Sequence, residues 1–387
     1  MPNEPAAAAS SPAPHQNDTG PHPDFPHWML KEIYDQPQAL QGCLAAYPGG
    51  SGRGTMGDRL PFLDEIQRVQ ILASGTSRHA GLIGQYWLEQ WAGIPTRVRS
   101  GTEFLAAPWP VLPQTLTLGV TQSGETADTL KALAIARQRQ VAQAGTGPFV
   151  GITNNPERSL SAFVDVVLPT YAGPEIGVAA TKTFTTQLLV LYRLALELAY
   201  RRDRLSLAQV QTHLHQLQTL PAAIDQLLQH VEPIQALAQC LASAQHCLVL
   251  GQGVQHAIAQ EGALKLKETT YLHAEGAAIG EFMHGPIALL DATVPVLAIA
   301  HGCPDPATFL GYLRKAKSHG APLFALVPPD LAPSTHEICD LQIVLPAVDL
   351  ARSPFLTVIP LQLLSYYIAV LRGLDVDRPR NITKTLS

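Results

Sequence analysis

Residues 119–136 read GVTQSGETADTLKALAIA: the end of an apolar strand, a cluster of hydroxyls around a glycine, then an apolar pattern of helical period. Leu116, Leu118 and Val120 suit a buried strand. Thr121, Ser123 and Thr126 place hydroxyls around the start of the next helix, and Gly124 lets the backbone come close to a ligand. Free N–H groups and the positive end of a helix dipole favour an anion at such a turn. The stretch describes either a pocket for a phosphate ester or an ordinary helix start with Ser123 or Thr126 as N-cap. Under both readings it is a strand–loop–helix unit of a parallel α/β sheet.

Working outward, two α/β halves can be traced. The first starts with strand Val69–Ala73, the loop Ser74-Gly75-Thr76-Ser77 and a helix to about Ala92. Strands follow near Thr96–Arg99, Leu116–Val120, Phe149–Thr153 and Val166–Leu168, and a long helix from about Thr183 to Arg201 closes the half. After connecting helices, the second half repeats the plan. It has strand Cys247–Leu250, helix Ala257–Tyr271, strands Val294–Ala300, Leu323–Val327 and Gln342–Leu345, then helix Leu361–Leu371. The expected organisation is a disordered Pro/Ala-rich tail (1–26), an N-terminal extension (27–60), a phosphate-binding subdomain (61–205) and linking helices (206–240). A subdomain carrying acid/base residues (241–372) and a C-terminal tail (373–387) complete it.

Ligands of doubly wound sheets sit outside the carboxyl ends of the strands. The first half has hydroxyl clusters at two such ends, Ser74/Thr76/Ser77 and Thr121/Ser123/Thr126; the corresponding exit in the second half is Ala300-His301-Gly302. One phosphate site per chain is expected. The stretch LVLGQGVQHAIA (248–259) shows part of a dinucleotide fingerprint but lacks its third glycine. No P-loop, HExxH or zinc-spaced Cys/His set occurs, so neither a cofactor nor a metal is implied.

Composition narrows the function classes. With 387 residues, 46% hydrophobic and 15% charged, the chain can bury a large core. A net charge of −5 without a basic block argues against nucleic acid or an anionic membrane surface as partner. Cys43, Cys240, Cys247, Cys303 and Cys339 show no CxxC spacing and cannot all pair, which fits reduced thiols in the cytoplasm. No secretory signal pattern is seen, and no apolar run of membrane-spanning length is expected; the longest, around Leu188–Tyr200, is broken by Arg193 and Glu197.

In EGALKLKE (261–268), Glu261, Lys265 and Glu268 fall within roughly 60° of one another on a helix. They form either an exposed ion-pair ladder or an acid–base constellation. Ala263, Leu264, Leu266 and Tyr271 are too apolar for a freely solvated helix, which favours the second. His273, Glu275, Glu281 and His284 follow in the Gly/Ala-rich stretch YLHAEGAAIGEFMHGP.

These segments, with HWMLKEIYDQP (27–37), LASGTS (72–77), AGPEIGVAATKTFTTQ (172–187) and DVDRPRNITKT (375–385), resemble the sugar-phosphate isomerase (SIS) domains of glucosamine-6-phosphate synthase. The resemblance covers almost everything from His27 to Ser387. It implies two flavodoxin-like SIS subdomains, each a parallel sheet flanked by helices, with a C-terminal tail closing the active site, and usually a homodimer. By this resemblance Ser77, Thr121, Gln122, Ser123 and Thr126 would hold a 6-phosphate, and Thr76 with the Val178–Ala180 backbone would line the sugar. Glu268 would move a proton between C1 and C2, and His284 from the neighbouring subunit would assist ring opening. Lys384 would engage the open-chain ketose as an imine, with Glu261 and Lys265 as electrostatic partners.

The family's glutaminase domain has no counterpart before His27, so the resemblance implies no glutamine hydrolysis by these residues. The leading expectation is an isomerase/deaminase interconverting glucosamine 6-phosphate with fructose 6-phosphate and ammonia. An aminotransferase fed by free ammonia or a separate glutaminase, and a non-catalytic sugar-phosphate sensor, are the alternatives. Ser74, Thr121 (which keeps the family's hydroxyl), Ala180, Ala277 and Thr383 depart from the family pattern, and these departures are read as lying near the sugar and not the phosphate.

Overall fold

The computed structural model describes residues 23–48, 56–107, 112–142 and 147–384. Residues 1–22 of the expected disordered tail, and 385–387 at the other end, lie outside the described residues.

Each half is a five-stranded parallel sheet. The first contains β1 (Arg68–Ala73), β2 (Thr96–Arg99), β3 (Thr115–Val120), β4 (Phe149–Thr153) and β5 (Val166–Pro169), in the order β2-β1-β3-β4-β5. The second contains β6 (His246–Gly251), β7 (His273–Ala278), β8 (Val296–Ile299), β9 (Leu323–Val327) and β10 (Leu341–Val344), in the order β10-β9-β8-β6-β7. Read from the other edge, that is the same 2-1-3-4-5 winding, the flavodoxin-like order. Parallel strands covered on both faces must be apolar throughout, and β4, β8 and β9 are buried at every position.

Several features differ from the sequence expectation. Strand β7 occupies the Gly/Ala-rich stretch read without a strand. It pairs with β6 from His246↔His273 to Gly251↔Ala278, and its small residues are required by packing: a Cβ on Gly276 would lie 2.5 Å from the Ala259 backbone. The last helix is Ser353–Leu371, eight residues longer than expected, because Pro360 is accommodated inside it. The helix expected from Ala257 starts at Val254 and ends at Thr270. The last helix also corrects the expectation about membrane-length runs: its mean hydropathy of 1.7 would suit a span, but 83% of that window is buried inside the protein.

One continuous apolar core joins the two sheets. At its centre Trp87, from helix Gly75–Ala92, stacks on Phe355 at 6.1 Å and meets Tyr192, from helix Lys182–Arg201, edge-on at 5.0 Å. Helices Leu207–Gln218, Leu220–Leu228 and Glu232–Leu241 run between the halves. This packing presses helix Val254–Thr270 of the second half towards the loop after β1 of the first.

Candidate active site

Strands β1 and β3 are paired through Ala73↔Val120, so the loops that follow them emerge side by side. In the first loop Gly75 has φ +54° and Ser74 gives no side-chain cap to helix Gly75–Ala92, leaving its first N–H groups without a side-chain acceptor among the described residues. Ser77 is 7% exposed, and among the described residues its hydroxyl makes no protein hydrogen bond. In the second loop Thr121 and Thr126 hydroxyls meet at 2.7 Å, and Ser123 Oγ accepts from Glu125 N at 3.1 Å. Neither Ser123 nor Thr126 caps helix Ala127–Ala142 through its side chain. Gly124, at φ +73°, folds against Arg158 and the Asn155 carbonyl, where a Cβ would come within 2.8 Å of Arg158 Cβ. The Gln122 carbonyl accepts from Asn154 N at 3.2 Å, tying this loop to the end of β4.

Facing these loops, helix Val254–Thr270 presents Glu261, Lys265 and Glu268. Glu261 is 0% and Lys265 1% exposed, so the alternative of an exposed ladder does not apply. Glu261 Oε1 accepts from Thr76 Oγ1 at 3.0 Å, and its Oε2 meets His79 Nδ1 at 2.7 Å. Lys265 Nζ donates to Thr76 Oγ1 at 3.1 Å, lies 3.6 Å from Glu261 Oε1 and forms a close ion pair with Glu268. Burial pulls the Lys265 ammonium's pKa down, but Glu268, Glu261 and Glu175 outweigh it and hold it above the ordinary lysine value. The neighbouring carboxylates thus favour the charged form of Lys265. Glu268 keeps 23% of its side chain exposed, at the rim of a cleft of about 450 Å³ shared with Tyr271, Arg380 and Ile382. The Arg380 guanidinium lies 4.1 Å over the Tyr271 ring and the Arg380 backbone N–H donates to the Tyr271 hydroxyl at 2.8 Å, which brings the tail beside Glu268.

Lys384 lies at the other side of the site. Its Nζ donates to Glu175 Oε2 at 2.9 Å and to the Gly177 carbonyl. Glu175 also accepts Thr181 N at 2.9 Å and Thr183 Oγ1 at 2.8 Å. Burial alone would raise its carboxyl; Lys384 and these donors outweigh that and hold it below the usual carboxylate range. Val178 and Ala180 are partly exposed beside this contact, and Val178 N donates to the Asp377 carbonyl at 3.1 Å. His284 stands apart: its side chain is exposed, and among the described residues nothing hydrogen-bonds it to this group. His79, Glu175, Glu32 and Asp377 were not singled out from the sequence. Glu175, Glu32 and Asp377 fall inside motifs quoted above, but no periodicity distinguishes them from surface acids.

The family model of the SIS domain matches residues 62–197 and 240–372. An isomerizing glutamine–fructose-6-phosphate aminotransferase of Synechocystis sp. is 47% identical over 375 residues, covering 94% of this chain and 59% of its own. Its counterpart from Thermosynechococcus vestitus is 49% identical over 376 residues with the same coverage. The chain thus spans about three-fifths of the length of these curated relatives. The C-terminal domain of glucosamine-fructose-6-phosphate aminotransferase from Francisella tularensis superposes with a TM-score of 0.86 at 33% identity, over 92% of this chain and 100% of that one. A glucosamine-6-phosphate deaminase from Thermotoga maritima shares the fold, with a TM-score of 0.72 at 22% identity over 93% and 99% of the two chains.

Proposed function

The chain belongs to the SIS domain family, and from that premise we propose that it is an aldose–ketose isomerase of hexose 6-phosphates, interconverting glucosamine 6-phosphate with fructose 6-phosphate and ammonia. The observation that carries this reading is the junction at Thr76. One residue of the hydroxyl-lined loops bonds both Glu261 and Lys265, and Lys265 pairs with Glu268. A phosphate gripped by Ser77, Thr121, Gln122, Ser123 and Thr126 would therefore leave the sugar's other end facing a carboxylate and a fixed cation. In this reading Glu268 takes the proton at one of C1 and C2 and returns it at the other. Lys265 stabilises the charge that develops on the enediol or enolamine. Lys384 forms the imine with the ketose carbonyl, and the Arg380–Tyr271 contact holds its tail beside the cleft. The exposed His284 reaches the site of a second copy in a cytoplasmic homodimer and assists ring opening there.

Incubating the purified chain with glucosamine 6-phosphate should release equal amounts of ammonia and fructose 6-phosphate. Sugar-phosphate binding without turnover in either direction would leave only a sensor. A second reading, synthesis with ammonia supplied by a separate glutaminase, is favoured by the 47–49% identity to isomerizing aminotransferases. It predicts net glucosamine 6-phosphate formation from fructose 6-phosphate and ammonium salts.

A further inference from the structure

The motif HWMLKEIYDQP (27–37) takes no part in the chemistry above, yet most of its polar groups are committed. His27 Nδ1 meets the Tyr366 hydroxyl at 3.0 Å, and Asp35 takes Lys182 Nζ at 3.0 Å. Helix Trp28–Tyr34 receives no cap from His27; instead Asp377 accepts Trp28 N at 2.9 Å and Met29 N at 2.8 Å. Glu32 differs. It is 1% exposed, its Oε1 accepts from Ile176 N and Gly177 N, and its Oε2 is buried with no hydrogen-bond partner among the described residues. The segment it holds is the one that receives Lys384, through the Gly177 carbonyl and Glu175 Oε2. One cation therefore bonds one of two buried carboxyl groups.

A buried carboxylate without a cation of its own loses less by binding a proton than by staying charged, and two such groups in one site resist ionising together. Resting on the assignment of Lys384 as the imine-forming lysine, we propose that Glu32 is a positioning residue that sets the charge of Lys384. It stays protonated beside Glu175, so that the ammonium has one counter-ion and a single proton transfer frees the amine. In that step an N–H bond of Lys384 breaks and an O–H bond forms on Glu175 Oε2. The nitrogen lone pair then bonds the ketose C2, while the carbonyl π electrons pass to oxygen, which takes the proton back from Glu175. Loss of water, with a second proton from nitrogen, leaves the imine.

The charged groups around Glu32 are Glu175 and Lys182 on the segment it holds, Lys384 and Asp377 on the tail, and Lys31 and Asp35 on its own helix and cap. Burial and Glu175 push its carboxyl up to about 8; the Ile176 N–H, Lys384 and Lys182 oppose them. Above that pH, ionised Glu32 becomes a second counter-ion to the Lys384 ammonium.

The test is competitive acetylation of Lys384 with acetic anhydride on the full chain, read by peptide mass spectrometry from about pH 6 to about 11 (a range spanning ordinary lysine titration). Glu32→Gln keeps the acceptor for Ile176 and Gly177 but cannot ionise. Its labelling midpoint should lie about one pH unit below that of the unaltered chain, roughly tenfold more label on the rising limb. Superimposable curves would overturn the proposal. Carboxyl ¹³C NMR of glutamate-labelled, unaltered protein needs no variant: one glutamate should titrate near pH 8, and its absence would also overturn it. Neither readout needs substrate. A shifted curve without turnover on glucosamine 6-phosphate would defeat only the isomerase reading, and turnover with unshifted curves only the role of Glu32.

Discussion

The two sheets share one winding and opposite uses of the same place. At the carboxyl ends of β1 and β3, Ser77 leaves its hydroxyl without a protein partner among the described residues. At the corresponding ends of β6 and β8, the space is filled from within. Gln255 Nε2 donates to the His301 carbonyl at 2.9 Å and to Ser353 Oγ at 2.8 Å, while Thr357 donates to Gln255 Oε1 at 2.9 Å, all of them buried. A Cβ on Gly251 would lie 2.2 Å from the Gln255 carbonyl, so backbone also closes in there. Topology marks where a ligand can sit; whether the polar groups there are spent on one another decides whether it does. The second half, its own crevice plugged, contributes a helix side to the first.

The sharpest way to break this contrast is Glu268→Gln. It should lower isomerisation by about two to four orders of magnitude while titration with fructose 6-phosphate shows near-normal affinity; full activity would remove the base from that helix. Lys384→Ala should abolish the borohydride-trapped adduct with ketose phosphate, and trapping that persists would point to another lysine. The crevices themselves are compared by a pair of substitutions. Thr121→Ala should weaken sugar-phosphate binding about tenfold, roughly 1.4 kcal/mol, with little change in melting temperature. Gln255→Ala should do the reverse, costing about 2–4 kcal/mol of stability by stranding buried partners and leaving affinity unchanged.

The last expected effect is on stability against pH. Glu32 binds its proton more tightly folded, at about 8, than its ordinary 4.5. Its contribution is therefore complete below the unfolded value and is lost as pH rises through the folded one. Raising pH from about 5 to about 9 should thus lower the melting temperature of the unaltered chain more than that of Glu32→Gln.

Much of the first sheet was legible because its strands are β-branched and bounded by loop residues: β2 and β4 fall where the sequence places them, and β1 and β3 begin one residue earlier. Strand β7 was not, since HAEGAA carries no strand signal; its residues are small because helix Val254–Thr270 lies against them. Pro360 hid half of the last helix, since a proline normally ends one. In the site, the spacing of Glu261, Lys265 and Glu268 was visible as one helix face. Its burial under Thr76 and His79 was not, because those partners lie more than 180 residues away. Glu32 and Asp377 were hidden for the same reason: their partners Gly177 and Trp28 lie 145 and 349 residues away.

The contact of Thr76 and His79 with Glu261 bears on how the chain can be dissected. A break inside helix Leu207–Gln218 would leave one fragment with a carboxylate and an ammonium that were fully shielded, and the other with the hydroxyl and imidazole that shielded them. Neither piece would be expected to stand alone, and split-protein complementation should restore structure and ligand affinity together, in one step.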